Sequence, residues 1–293
     1  MLDYRINTFL DLCDTRSYTR TSKNLNITQP AVTQHIQYLE RQYNVELVYY
    51  KNKSLSLTAE GEKLYQLALA MKANNKKIEE AMTGLHNHNI KIEFGSTLTI
   101  GEYVLPKKIT EYLIQYPRTN ISMLVDNTTS LLKKLEDGEI HFAIVEGYFD
   151  KEKYGHRLLQ KSEFIGVCAK NHSFETRELT FEDIIKERLI IREQGSGTRD
   201  ILETILHENN WEINSFTSYV ELGNFNAIKE LVKNHMGITF VYKEVVEKDL
   251  LDNTLSPLRI RDFDVVREFN IVYLKDDIFR IQYEEFWNFL SET

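Results

Sequence analysis

Apolar positions recur at helical spacing through the first quarter of the chain and then fall into short runs typical of strands. Ile6, Phe9, Leu10 and Cys13 make one apolar face and predict a first helix. A short second helix follows over 19–25, with Ser17 or Thr19 as its cap. The tripeptide NIT turns the chain. Thr28 then caps a third helix whose first turn holds Pro30, a position that tolerates a missing amide. Val32, Ile36, Leu39 and Tyr43 are its stripe to bury, while Gln29, Thr33, Gln34, Gln37 and Tyr38 stand opposite, polar but uncharged. The stretch VELVYYKNKSLSLTAEG reads as a two-stranded hairpin turning at Lys51-Asn52-Lys53-Ser54.

A long helix is predicted over 58–88. Leu64, Met71, Ile78 and Leu85 are spaced by seven, a heptad seam that argues for pairing with another helix. Asn74 and Asn75 in mid-seam fix register at some loss of stability; packing on the chain's own core is the alternative. Beyond it Ile90, Ile92 and Phe94 alternate with polar residues, and a loop feeds a helix from about Gly101. NISMLVD, HFAIV, FIGVCAK, RLIIRE, TSYVEL, ITFVY and FNIVYL read as further strands. Helical segments over 131–136, 198–208, 226–234 and 279–289 lie between them. Alternation of this kind predicts an α/β sheet protein.

Composition narrows the class. With 293 residues, 42% of them hydrophobic, the chain has material for two or three compact units. No apolar run approaches the roughly 18 residues of a membrane span. The opening MLDYRINTFLDLCDTR has acids among its apolar residues and no small-residue cleavage site, unlike a signal peptide. Cys13 and Cys168 are too few and too distant for a disulfide framework. These features together lead us to expect a cytoplasmic protein.

The net charge of −8 is unevenly spread. The first 90 residues hold 11 Lys and Arg against 9 Asp and Glu; the remainder holds 25 against 35. No acid occurs between Asp14 and Glu40, a gap of 25 residues that includes Arg16, Arg20 and Lys23. A surface that approaches phosphates excludes carboxylates, because each repels the nucleic-acid backbone at short range. The third helix offers what such a surface needs for reading bases. Gln pairs bidentately with adenine, and Thr or Ala methyls contact thymine methyls in the major groove. The acid-free face therefore predicts a groove-reading helix followed by a basic wing.

These residues resemble the LysR-type transcriptional regulators. The resemblance rests on Ser17-Tyr18, Thr21-Ser22, Thr28-Gln29-Pro30-Ala31-Val32-Thr33, Ile36 through Glu40, Leu47 and Leu57-Thr58-Ala59-Glu60-Gly61. Two places depart from the family pattern. Thr21-Ser22 stands where the family has Ala-Ala, and Leu47-Val48-Tyr49-Tyr50 lacks the usual wing Arg, for which Lys51 and Lys53 can substitute. The resemblance implies an α/β protein with an N-terminal all-α winged helix-turn-helix, a long linker helix and a two-lobed periplasmic-binding-protein-like effector domain. In residues, these are 1–58, 59–88 and 89–293. Lobe I takes about 89–162 and 267–293, and lobe II about 163–266, with hinge strands near 160–165 and 266–270. The expected partners are double-stranded DNA bearing an inverted repeat, a small anionic effector, and a second copy or a tetramer of the same chain. Arg20, Thr28, Gln29, Pro30, Ala31, Thr33, Gln34, Gln37, Lys51 and Lys53 are the expected DNA contacts. Leu64, Met71, Ile78 and Leu85 are the expected dimer seam.

Three loops carry candidate effector chemistry. GSTLTIGEY ends a strand in hydroxyls and enters a helix; REQGSGTRD does the same through Gly195-Ser196-Gly197-Thr198; ELGNFNAIK brings Gly223 and Asn224 to another helix start. Exposed amides at a helix start, small residues and adjacent hydroxyls make an anion site. Arg192 or Arg199 can add charge. The candidates are Ser96, Thr97, Thr99, Glu146, Ser196, Thr198 and Asn224, and an anion bridging the first two helix starts would favour a closed cleft. Motifs for catalysis and cofactors are missing: no Walker loop, dinucleotide fingerprint, His-Glu-x-x-His or Gly-x-Ser-x-Gly occurs, and His86 and His88 read as a solvated turn. No cofactor, metal, membrane or enzymatic role is expected. The alternative reading is a small-molecule receptor without a transcriptional role.

Overall fold

The computed structural model describes residues 3–51, 54–83, 91–278 and 280–292. Asn52, Lys53, Leu85, His86, His88 and Ile90, named above, lie outside them, as does the first residue of the predicted 279–289 helix. Helices α1 (Tyr4–Thr15), α2 (Tyr18–Asn24) and α3 (Gln29–Tyr43) pack on one another around Phe9, Leu12, Ile36 and Leu39. Each begins with an oxygen that takes an orphan amide. Asp3 accepts from Arg5 N at 2.9 Å, Ser17 from Arg20 N at 3.3 Å and Thr28 from Ala31 N at 3.3 Å. Strands β1 (Val48–Lys51) and β2 (Ser54–Leu57) pair antiparallel with Lys51 opposite Ser54, so the wing has the predicted register.

Helix α4 (Ala59–Thr83) leaves the wing through Thr58, whose hydroxyl accepts from Gly61 N at 2.9 Å. Gly61 is required there, because a Cβ would stand 2.1 Å from the Leu47 carbonyl oxygen. The inner side of α4, with Tyr65, Ala68 and Leu69, closes the core of the N-terminal unit.

The C-terminal part is two-lobed. Its elements are β3 (Lys91–Ser96), a π-helical turn (Ile100–Val104) that runs into α5 (Leu105–Gln115), β4 (Asn120–Val125), α6 (Thr128–Glu136), β5 (Phe142–Val145) and β6 (Tyr154–Ala169). Then come β7 (Glu178–Leu179), α7 (Phe181–Ile184), β8 (Arg188–Arg192), α8 (Gly197–Glu208), β9 (Ser218–Leu222) and α9 (Phe225–Lys233). The chain finishes with β10 (Thr239–Tyr242), α10 (Lys243–Leu251), β11 (Leu255–Pro257), β12 (Arg259–Ile260), β13 (Val265–Leu274) and α11 (Glu284–Glu292). The main sheet runs β10-β6-β13-β5-β3-β4, with β11 also on β6. Strands β8 and β9 pair in parallel, with a bridge from Leu189 to Ile238.

Strand β6, at 16 residues, is about 50 Å long and lies antiparallel to β13 from Tyr154–Leu274 to Phe164–Val265. This pair passes from one lobe to the other, and its register slips between Phe269 and Asn270. Parallel β3, β4 and β5 are covered by α5, α6 and α11, and the strand ends at Ser96, Val125 and Val145 open toward lobe II. Ligands in open parallel sheets bind beyond such carboxyl ends.

A cleft between two helix starts and an acid-free helix face

At the end of β3, Ser96, Thr97 and Thr99 are all buried. The chain turns there because Thr97 N donates to Ile144 O on neighbouring β5, and Gly101 N then donates back to Thr97 O. Opposite stands the start of α8. Thr99 Oγ1 and Thr198 Oγ1, 99 residues apart in sequence, lie 3.4 Å from each other. The two hydroxyl-bearing helix starts predicted from the sequence therefore face one another. Between them is a cavity of about 200 Å³ lined by Thr97, Asp126, Asn127, Glu146, Arg192 and Ser196, among others. Ser196 is buried, and its hydroxyl makes no cap bond to the amides of α8.

Glu146 sets the electrostatics of this cavity. It follows β5 directly and is 6% exposed. Thr97 Oγ1 donates to its Oε2, and its Oε1 lies on the Gly197 side, 3.8 Å from where a Cβ on Gly197 would be. Burial pushes its carboxyl above the ordinary range, against the opposing pull of the Thr97 and Thr99 hydroxyls and of Arg192. The other charges are already engaged. Arg192 pairs bidentately with Glu193 at 2.7 Å for each bond, and its guanidinium lies 4.4 Å from the Phe225 ring centroid. Asp126 accepts from Asn127 N at 2.8 Å and Ser130 Oγ at 2.6 Å.

The sequence left open which arginine faces the cleft; it is Arg192. Arg199 is held by Glu203 at 2.7 Å, Glu221 at 2.5 Å and the Arg192 carbonyl at 3.3 Å. Asn224 is exposed and caps α9 by accepting from Ala227 N at 3.1 Å; its neighbour Gly223 lines the cavity instead. Asp126 and Asn127 were missed, since they reach the cleft only through the β3–β4 pairing that sets Ser96 beside Val125.

On the N-terminal unit, Arg20, Thr28, Gln29, Pro30, Gln34 and Gln37 are exposed, and Ala31 and Thr33 half-buried. Thr28, as the cap, and Thr33, bonded to Gln29 O at 3.2 Å, also serve the helix itself. The acids flanking the gap turn elsewhere. Asp14 accepts from Tyr65 OH at 2.8 Å, and Glu40 accepts from Leu47 N at 3.0 Å, fastening the wing. Lys51 ends β1 at the wing's tip.

Family models agree with this division of labour. The model described as "LysR substrate binding domain" matches residues 88–293. That described as "Bacterial regulatory helix-turn-helix protein, lysR family" matches residues 4–62. The chain belongs to the LysR family of transcriptional regulators. Among curated relatives, HTH-type transcriptional regulator CysL of Bacillus subtilis is 26% identical over 92% of this chain and 89% of its own. MJ0300 of Methanocaldococcus jannaschii is 27% identical over 98% and 97%. Among solved structures, a Corynebacterium glutamicum OxyR C206 mutant is 20% identical, with a TM-score of 0.61 over 99% of this chain and 90% of that one. The Synechocystis CcmR regulatory domain in complex with 2-PG is 20% identical, with a TM-score of 0.62 over 70% and 96%. These structures speak to the fold.

This LysR-family chain also presents a linker-helix face. Met71 is 51% and Ile78 47% exposed, with Leu67 beside them. Leu64 is turned the other way, against the core of its own unit, so the outward stripe is Leu67–Met71–Ile78. A groove of about 450 Å³ runs along it, lined also by Ile6, Leu39 and Tyr43. Among the described residues no helix is long and apolar enough to cross a membrane.

Proposed function

We propose that this LysR regulator is a cytoplasmic, dimeric or tetrameric DNA-binding protein whose effector is a small anion held between the starts of α8 and the β3–α5 turn. Its DNA-binding unit would occupy 1–58, its linker helix 59–88 and its effector domain 89–293. The observation that carries the ligand class is the Glu146 carboxyl, buried where both helix starts converge. A neutral Glu146 accepts from Thr97 through Oε2 and keeps an O–H to donate. Two helix N-termini and the hydroxyls of Thr99, Ser196 and Thr198 add further donors. Of the remaining carboxylates, Glu193 is neutralised by Arg192, and Asp126 is spent on the start of α6. The cavity's size fits an anion of a few heavy atoms, and that the CcmR regulatory domain was solved with 2-PG is in keeping with such a guest.

On DNA, Gln29, Ala31, Thr33, Gln34 and Gln37 would read an inverted repeat in the major groove, while Arg20, Lys51 and Lys53 would meet phosphates. Leu67, Met71 and Ile78 would pair two linker helices. Calorimetry over sulfate, phosphate and small carboxylates, beside gel shifts on the DNA upstream of the protein's own gene, tests both halves. An effector that is cationic or wholly apolar would refute the cleft chemistry, and equal affinity for random DNA would refute the groove-reading face.

A further inference from the structure

Lobe I grips the DNA-binding unit of its own chain through a chain of polar contacts. Lys153 Nζ lies 2.6 Å from Glu136 Oε1 and donates to Tyr65 OH at 3.0 Å; Tyr65 OH in turn donates to Asp14 Oδ1 at 2.8 Å. Tyr154 OH donates to the same Glu136 oxygen. Four elements meet here: α1 gives Asp14, α4 gives Tyr65, α6 ends in Glu136, and β6 begins with Tyr154, just after Lys153. Its centre is withdrawn from water, with side-chain exposures of 22% for Lys153 and 8% for Glu136 and both tyrosines buried, while Asp14 at its edge is exposed. Close packing surrounds it. Ala73 of α4 shares a core with Leu131, Leu135 and Ile140 of lobe I. Gly138, at φ +68°, approaches so closely that a Cβ would stand 2.8 Å from Ala73 Cα.

Two segments join this network to the effector cleft. Helix α6 starts beside Asp126 and Asn127, which line the cavity, and ends at Glu136; its nine residues span about 13 Å. Residues 146–153 start at Glu146 in the cavity and end at Lys153. The segments touch at the cleft end, where a Cβ on Gly147 would lie 2.7 Å from Thr128 Oγ1.

We propose that Glu136, Lys153, Tyr65 and Asp14 form a latch that fixes the DNA-binding unit to lobe I, with α6 and residues 146–153 carrying changes at the cleft to it. The latch stands on its own geometry; its role in effector signalling rests on the cleft reading above. Removing Lys153 opens the network, leaving Glu136 buried without its cation and Tyr65 without its lobe I partner. Burial also pushes the Tyr65 hydroxyl upward, with Glu136 and Asp14 adding to the shift, so it stays a proton donor.

The test uses the ligand-free full chain. Spin labels at Lys23→Cys and Arg118→Cys report the distance between the two units by pulsed electron resonance, the native Cys13 and Cys168 being buried. With the labelled chain diluted into a large excess of unlabelled chain, so that each assembly carries at most one labelled copy, the parent should give one narrow distance. Lys153→Met should broaden it and lower the docked-to-undocked ratio roughly tenfold or more. The milder Tyr65→Phe should do the same in smaller degree, while Lys243→Met, which breaks an exposed pair with Glu163 in lobe II, should do nothing. Parent-like distances in both Lys153→Met and Tyr65→Phe would overturn the latch. Gly147→Ala disturbs the cleft end alone; its effect should be large in the parent and small in Lys153→Met. Additive effects of these two would overturn the connection. With no ligand added, a failure of the anion reading would register in calorimetry and leave these outcomes as they are.

Discussion

Replacing Glu146 isolates the chemistry of the cleft. Its buried carboxyl takes a bond from Thr97, lies near Gly197 at the start of α8, and is pushed toward the neutral form by burial. A neutral donor to a bound anion contributes about 1.5–3 kcal/mol. Glu146→Ala should therefore weaken the anion roughly 10- to 150-fold at a pH below the raised folded pKa. Glu146→Gln still accepts from Thr97 and still donates, so its affinity at that pH should stay within about threefold of the parent. The pH profile separates the two further. Anion binding favours protonated Glu146, so parental affinity is full at low pH and falls as pH rises through the raised folded pKa, tenfold per unit beyond it. Glu146→Gln should be flat over the same range. Isothermal titration between pH 5 and 9, with the anion that gives the largest thermal shift, measures both effects. Parental anion affinity that does not fall as pH rises would mean that a protonated Glu146 does not donate to the anion, and the neutral-donor reasoning would fail.

The remaining predictions concern stability, the donors, the DNA face and assembly. A raised carboxyl pKa contributes stability that is complete below the unfolded value and lost as pH rises through the folded one, so Glu146→Gln should raise the melting temperature more at pH 8 than at pH 5. Thr198→Val keeps side-chain shape but deletes a buried donor, and it should cost about 1.5–3 kcal/mol of anion affinity by calorimetry while leaving ligand-free DNA binding unchanged. Gln34→Ala should relax preference by about 1–3 kcal/mol at single operator positions, whereas Arg20→Ala should weaken all sequences alike and flatten the salt dependence in gel shifts. Met71→Glu with Ile78→Glu sets like charges against one another across a paired linker helix, and sedimentation should then report monomers.

The N-terminal unit and the order of strands and helices were legible because their causes are local. Ser17 and Thr28 cap helices within three residues of themselves, and Pro30 sits where a helix tolerates it. Hydroxyl-rich turns at strand ends likewise marked Thr97, Thr99, Ser196 and Thr198, since a strand feeding a helix exposes amides wherever the fold places it. The acid-free gap marked the face of α3, as a composition constraint needs no partner to be visible.

What tertiary structure decided is everything that depends on contacts distant in sequence. Thr99 meets Thr198 only because β6 and β13 carry the chain between the lobes, a pairing that joins residues up to 120 apart, Tyr154 with Leu274. Arg192 faces the cleft and Arg199 does not, because Glu203 and Glu221 claim the latter. Leu64 fits a heptad as well as Met71 does, yet it turns inward, because the core of α1–α3 and the wing covers that side of α4. Helical periodicity specifies which residues share a face, and only packing against the rest of the chain specifies which face is covered.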